Sequence, residues 1–201
     1  MIIKVCGMRD PDNIRQVDAQ PGVDWMGFIF WPKSKRFVST FPKYMPVHTK
    51  RVGVFVDDDI EQVKRIADEY ALDLIQLHGH ESPDYCRQLR EWKIIKAFNI
   101  ATLSDLENTK PYEGIANYFL FDTKGKSVGG NGEKFDWNVL NHYNGDTPFL
   151  LSGGIGPDDD ERIRAFHHPL LAGIDLNSGF ETSPAMKDPA LLRTFFEKFK
   201  N

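Results

Sequence analysis

The sequence predicts a (β/α)8 barrel, one domain over residues 1–201. Three observations carry that prediction. Eight short apolar runs recur along the chain at a regular beat. Most are continuous rather than alternating, as in strands of a parallel sheet covered on both faces. Helix-like segments lie between them, and no G-x-G-x-x-G turn follows the first run. The last point favours a closed barrel over a doubly wound open sheet, the other architecture compatible with this alternation.

In order, the first run is IIKVC (2–6), followed by a weak helical segment over 10–18. WMGFIF (25–30) is the second strand. Pro42 and Pro46 then leave any helix over 39–47 stunted. VGVFV (52–56) leads into DDDIEQVKRIADEY (57–70). Its acidic start suits the helix dipole, and Ile60, Val63, Ile66 and Ala67 share a face. LDLIQL (72–77) precedes SPDYCRQLREW (82–92), where Ser82 reads as N-cap and Pro83 as the first helical residue. Cys86 and Leu89 fall on one face there, so Cys86 reads as core. KIIKAF (93–98) is followed by weaker helix over 103–116, and YFLFD (118–122) by a long Gly-rich loop, DTKGKSVGGNGEKFDW. That loop reads as a lid around Gly129–Gly132, because no Walker Lys-Ser/Thr follows its glycines. A weak helix over 135–143 precedes PFLLS (148–152). PDDDERIRAF (157–166) has a Pro-plus-acid helix start, AGID (172–175) is the eighth strand, and DPALLRTFFEKFK (188–200) is the last helix.

Composition narrows the function classes. The chain is 41% hydrophobic and 27% charged, with a formal net charge of −4 and no Lys/Arg block, so nucleic acid is not the expected partner. No apolar run approaches the roughly 20 residues of a membrane helix, so no membrane association is expected. No secretory signal is legible, so the expected compartment is the cytoplasm, with Cys6 and Cys86 as reduced thiols. The six histidines are scattered, and no Cys/His cluster has metal spacing. Phe28–Phe30 with Trp31 suit either core or interface, which leaves monomer or homodimer open.

Barrel active sites lie at the C-terminal ends of the strands. That rule selects Cys6, Gln76, His78, Asp122, Ser152 with Gly153 and Gly154, and Asp175 with Asn177, Ser178 and Gly179. A cysteine ending a core strand has the plainer reading of a small hydrophobe. Alternation places Ile2, Lys4 and Cys6 on one face, so an inward-facing Lys4 is a buried cation that needs an anion. LSGGIGPDD and DLNSGFE follow strands seven and eight, where barrels commonly bind phosphate. Glycines there let backbone N–H groups approach an anion, and Ser178 adds a hydroxyl. Either motif alone is equally a turn. Lys33, Lys35 and Arg36 form a basic cluster after strand two, either a solvated face or an attractor for an anionic substrate.

KVCGMRD, GFIFWPKSKRFV, RVGVFV, IQLHGHES, IKAF, FLFDTK, GGNGEKFDW, LSGGI and DLNSGFETSPAMKD, in this order and spacing, resemble the phosphoribosylanthranilate isomerase family from Lys4 to beyond Asp188. The resemblance implies a (β/α)8 barrel that converts N-(5'-phosphoribosyl)anthranilate to 1-(2-carboxyphenylamino)-1-deoxyribulose 5-phosphate. That is an Amadori rearrangement in tryptophan biosynthesis, run with no metal and no organic cofactor. It implies Cys6 as general base, Asp122 as general acid and Arg36 as ligand of the anthranilate end. Phosphate falls to Gly154, Asn177 and Ser178, with Gly153 and Gly179 in the same motifs, and Asp175 is expected to line the site. Gln76 and His78 are expected at the substrate, His78 either touching it or ordering its loop. Phe180 stands where the family commonly has a smaller aliphatic residue, which is expected to reshape the phosphate rim. Three rivals remain: the histidine-pathway isomerase, which uses two aspartates; indole-glycerol-phosphate synthase, whose lysine and glutamates find no positions here; and a non-catalytic phosphosugar-binding barrel. Cys6 argues against the first, and the Cys6/Asp122 pair against the last.

Overall fold

The computed structural model describes residues 1–122 and 137–200. Eight parallel strands close in sequence order: β1 (Ile2–Cys6), β2 (Trp25–Ile29), β3 (Lys50–Phe55), β4 (Leu74–Leu77), β5 (Lys93–Asn99), β6 (Tyr118–Asp122), β7 (Phe149–Ser152) and β8 (Leu171–Leu176). The expected barrel is therefore present. YFLFD is a strand over its whole length, whereas LDLIQL is extended only from Leu74.

Helices pack outside. They are α1 (Pro11–Asp18), α2 (Ile60–Glu69), α3 (Pro83–Arg87), α4 (Asp160–Ala165) and α5 (Pro189–Lys200), with 3-10 turns at Leu103–Tyr112 and Trp137–His142. Several run shorter than their sequence patterns predict. Helix α2 begins at Ile60 because the Asp59 carboxylate takes the Glu61 and Gln62 N–H groups. Asp57 instead has φ +51° and accepts a 2.5 Å bond from the His80 N–H. Pro157 lies in the turn before α4. Beyond Arg87 the chain tightens into i→i+3 bonds, Leu89 to Cys86 and Trp92 to Leu89. No helix forms over 39–47; the carboxylate of Asp18 ties that segment down through the N–H groups of Val47, His48 and Thr49. The predicted lid, and the start of the helix expected over 135–143, lie outside the described residues.

The main core fills the space between barrel and helices, with Cys86 in it. A second cluster fills the barrel itself: Trp25, Val52, Leu74, Ile95, Ala97, Leu120 and Leu150. Above this apolar floor the inward-facing side chains turn polar. Register sets their level, with Lys4 opposite Asp175, Asn99 opposite Asp122 and Asp122 opposite Ser152. Among the described residues no helix is long and apolar enough to cross a membrane.

Candidate active site

Above the floor opens a cavity of about 510 Å³ at the C-terminal mouth. Cys6, Arg36, Gln76, His78, Asp122, Gly153, Gly154, Asp175, Asn177 and Ser178 all line it. Gly179 stands behind this lining, where a Cβ would meet the Ile155 carbonyl oxygen at 2.4 Å. Its role is the close approach of the loops after β7 and β8.

Cys6 ends β1, buried, facing inward over Lys4. Gly27 lies opposite it on β2, and a Cβ there would sit 2.7 Å from Sγ, so the glycine makes room for the thiol. The buried Lys4 has its anion: Nζ lies 2.7 Å from Oδ1 of Asp175, and the Ser152 hydroxyl donates to Oδ2 at 3.1 Å. Burial pushes the Cys6 thiol up and outweighs the ammonium of Lys4, which draws it down; Asp175 raises it and Lys187 lowers it. Burial also works against the charge on Lys4, but Asp175 and Cys6 hold its pKa above the ordinary lysine value.

Across the mouth, Asp122 ends β6, with β7 and β8 separating it from Cys6. His78 lies 3.7 Å from Oδ2 of Asp122 through Nε2, and its Nδ1 is 3.1 Å from Nε2 of Gln76. Oε1 of Gln76 is buried with no hydrogen-bond partner among the described residues. His78 thus both lines the cavity and contacts Asp122.

The backbone turns at Gly153 (φ +91°) and Gly154 (φ +67°), a region L side chains rarely enter. Facing them are Asn177 and Ser178, at a one-turn 3-10 helix (Ser178–Phe180). Phe180 does not reach the cavity. It is fully buried and packs edge-on against Phe195 of α5, ring centroids 5.0 Å apart, so its ring is not part of the cavity wall. Of the basic cluster, Lys35 and Arg36 line the cavity and Lys33 does not.

Two charged residues not singled out from the sequence complete the arrangement. A hairpin of β9 (Glu181–Ser183) and β10 (Met186–Lys187) follows the 3-10 turn. Glu181 holds Arg36 through both oxygens, at 2.8 Å from Nε and 2.5 Å from a terminal nitrogen. Lys187, buried, donates to the same carboxylate at 2.5 Å. The only sequence signal for this pair is its place in ETSPAMKD.

The chain is thus a (β/α)8 barrel that gathers a thiol, two carboxyls, a histidine and an arginine around one cavity at its C-terminal mouth, the place and kind of an enzyme site. Comparison with known proteins narrows the class. A family model described as N-(5'-phosphoribosyl)anthranilate isomerase matches residues 3–198. Two proteins bearing that name are 52% identical to the chain. The one from Phocaeicola vulgatus aligns over 100% of this chain and 98% of its own length, the one from Parabacteroides distasonis over 98% and 93%. The monomer form of dimeric phosphoribosylanthranilate isomerase from Thermotoga maritima superposes with a TM-score of 0.80 at 28% identity, covering 100% of this chain and 99% of its own. A crystal structure of such an isomerase in complex with reduced 1-(o-carboxyphenylamino)-1-deoxyribulose 5-phosphate gives 0.79 at 28% identity, with the same coverage. The chain belongs to the N-(5'-phosphoribosyl)anthranilate isomerase family.

Proposed function

We propose that the chain catalyses the Amadori rearrangement of N-(5'-phosphoribosyl)anthranilate in tryptophan biosynthesis, with Cys6 as general base and Asp122 as general acid. One observation carries the residue assignment: a thiol and a carboxyl from non-adjacent strands face one cavity, between the glycine loops and an arginine. The phosphate end is assigned to Gly153, Gly154, Asn177 and Ser178, with Gly179 shaping the loop. The anthranilate carboxylate is assigned to Arg36. Gln76, His78 and Asp175 line the space between. The chain acts as one domain, monomer or homodimer, on this small phosphorylated substrate.

The chemistry suits these groups. Asp122 gives a proton to the furanose ring oxygen, the C1′–O bond breaks, and the anilino nitrogen lone pair forms an iminium. That cation acidifies the C2′–H. The Cys6 thiolate takes this proton, and its electron pair becomes the C1′=C2′ bond of an enolamine. Tautomerisation moves a proton from the C2′ hydroxyl to C1′, leaving the ketose. One carbon is reduced as its neighbour is oxidised, so no outside oxidant enters. A thiol raised by burial needs help to ionise. Lys4 and Lys187 supply part of that field, and the iminium adds a third positive charge during the step that uses the thiolate.

The test is a fluorescence time course. Substrate is made in situ from anthranilate and phosphoribosyl pyrophosphate by a separate transferase, with a chelator present. Rapid decay that Cys6→Ala and Asp122→Asn each abolish is the expected result. An active Cys6→Ala variant would keep the activity and remove Cys6 as the base. Decay no faster than spontaneous hydrolysis would overturn the assignment.

A further inference from the structure

The reaction as written gives Glu181 no role and Lys187 only a share of the field at the thiol, yet Lys187 is buried and the charged side chain of Glu181 is only 5% exposed. Lys187 is 2% exposed and cannot swing away. Its backbone is held in both directions by the buried Asn13, N–H to Oδ1 and Nδ2 to the carbonyl, each at 2.8 Å. Its Nζ donates to Oε1 of Glu181 at 2.5 Å and to Oδ1 of Asn177 at 3.1 Å. Glu181 in turn engages the Nε edge of Arg36 with both oxygens.

Counting donors and charges gives this arrangement a purpose. A guanidinium carries five N–H groups in a rigid fork. Glu181 takes the Nε edge, which fixes the plane of the group and leaves the edge between the terminal nitrogens to meet a carboxylate. An Arg36–Glu181 pair alone is neutral overall and attracts an anion weakly. Lys187 returns the trio to a net charge of +1. Burial raises the Glu181 carboxyl, but the bonds from Arg36 and Lys187 outweigh it and hold its pKa below the ordinary value.

We infer that Glu181 and Lys187 are positioning residues for substrate recognition: Glu181 orients Arg36, and Lys187 supplies the positive charge that Glu181 cancels. The inference rests on the reading of Arg36 as the ligand of the substrate carboxylate.

The two roles separate in a double-mutant cycle. Steady-state kinetics are measured on in-situ substrate for Lys187→Met, Glu181→Gln and the double variant, each checked for folding by thermal melting. Lys187→Met makes the trio neutral and is expected to raise KM about tenfold or more. The double variant restores the net charge, so its KM is expected within about threefold of wild type. Its kcat stays about tenfold down or more, because nothing then orients Arg36 and the Cys6 thiol has lost the field of Lys187. A merely structural role would make the losses accumulate, so a double variant with KM as high as Lys187→Met overturns the inference. Should Lys187→Met not fold, the double variant decides alone: KM retained with kcat lost supports the inference, and KM raised tenfold sinks it. Arg36→Met is the control. If it leaves KM unchanged, the reading of Arg36 fails, and that outcome is distinct from either result of the cycle.

Discussion

Lys4→Met tests how the inside of the barrel is stabilised and what that does to the thiol. The ammonium is 0% exposed and lies 2.7 Å from Asp175, itself only 7% exposed. Asp175 has one other hydrogen-bond donor among the described side chains, the Ser152 hydroxyl at 3.1 Å. Removing the ammonium leaves a buried carboxylate held by one hydroxyl. Breaking a buried pair in this way costs about 3–5 kcal/mol, which lowers Tm by roughly 6–20 °C in a chain of this size. Replacing both partners, Lys4→Met with Asp175→Leu, leaves no uncompensated charge and should recover most of that loss. The thiol gives a second readout. Burial raises its pKa, and Lys4 is the foremost group opposing the rise. Without Lys4 the thiol titrates higher still, and each pH unit removes about tenfold of the thiolate present at neutral pH. The assay is the pH dependence of alkylation by iodoacetamide in a Cys86→Ala background, since burial pushes Cys86 up to about 11. An unchanged profile would refute the part given to Lys4 in ionising Cys6. An unchanged Tm would refute the energetic account of the pair.

Two further outcomes follow from the geometry. Asp18→Asn should cost about 2–3 kcal/mol in thermal melts, because the carboxylate accepts from Val47, His48 and Thr49 N–H and from the Tyr44 hydroxyl. Burial raises this carboxyl, but those bonds outweigh it and hold the pKa below the ordinary value. The wild-type advantage is therefore full above the unfolded value of about 3.9 and lost as pH falls through the folded one. A gap between variant and wild type that persisted well below that range would contradict the assignment. Gly27→Ala puts a Cβ 2.7 Å from the Cys6 sulfur. It should lower kcat about tenfold by displacing the thiol, with an overpacking cost of about 1–3 kcal/mol in melts; wild-type kcat in a folded variant would show that the thiol's position does not matter.

The barrel was legible because its strands are buried on both faces, which writes them as continuous apolar runs. IIKVC and YFLFD needed no trimming. Strand ends were equally legible: asking which polar residues close each run found Cys6, Gln76, Asp122 and Asp175, all on the cavity. Alternation within IIKVC found Lys4 and its need for an anion. Helix extents were not legible, since acid-rich starts such as DDD offer several caps and tertiary contacts choose among them. At 57–59 the Asp57 carboxylate went to His80, leaving Asp59 as the cap. Glu181 and Lys187 were invisible for a different reason. Arg36 and Glu181 are 145 residues apart, and a local pattern of Glu and Lys in a polar hairpin looks like solvated surface. Phe180 is a different case. Its neighbours in sequence belong to the site, but its ring belongs to the packing beneath α5.

The same low dielectric makes these buried charges both costly and useful. The apolar floor formed by Trp25, Val52, Leu74, Leu120 and Leu150 keeps water from below, so the field of an ammonium at Lys4 is weakly screened at the sulfur. That weak screening also makes an unpaired charge at the same level expensive, which is why Asp175 must accompany Lys4. Stability and reactivity therefore conflict at position 4. Lys4→Met alone carries the cost of an unpaired Asp175; adding Asp175→Leu should recover most of that loss, while the thiol gives up the lowering influence of Lys4 together with the smaller raising influence of Asp175. Stability in this fold is best raised in the outer core between strands and helices, where Phe119, Phe121 and Phe149 pack without touching the cavity.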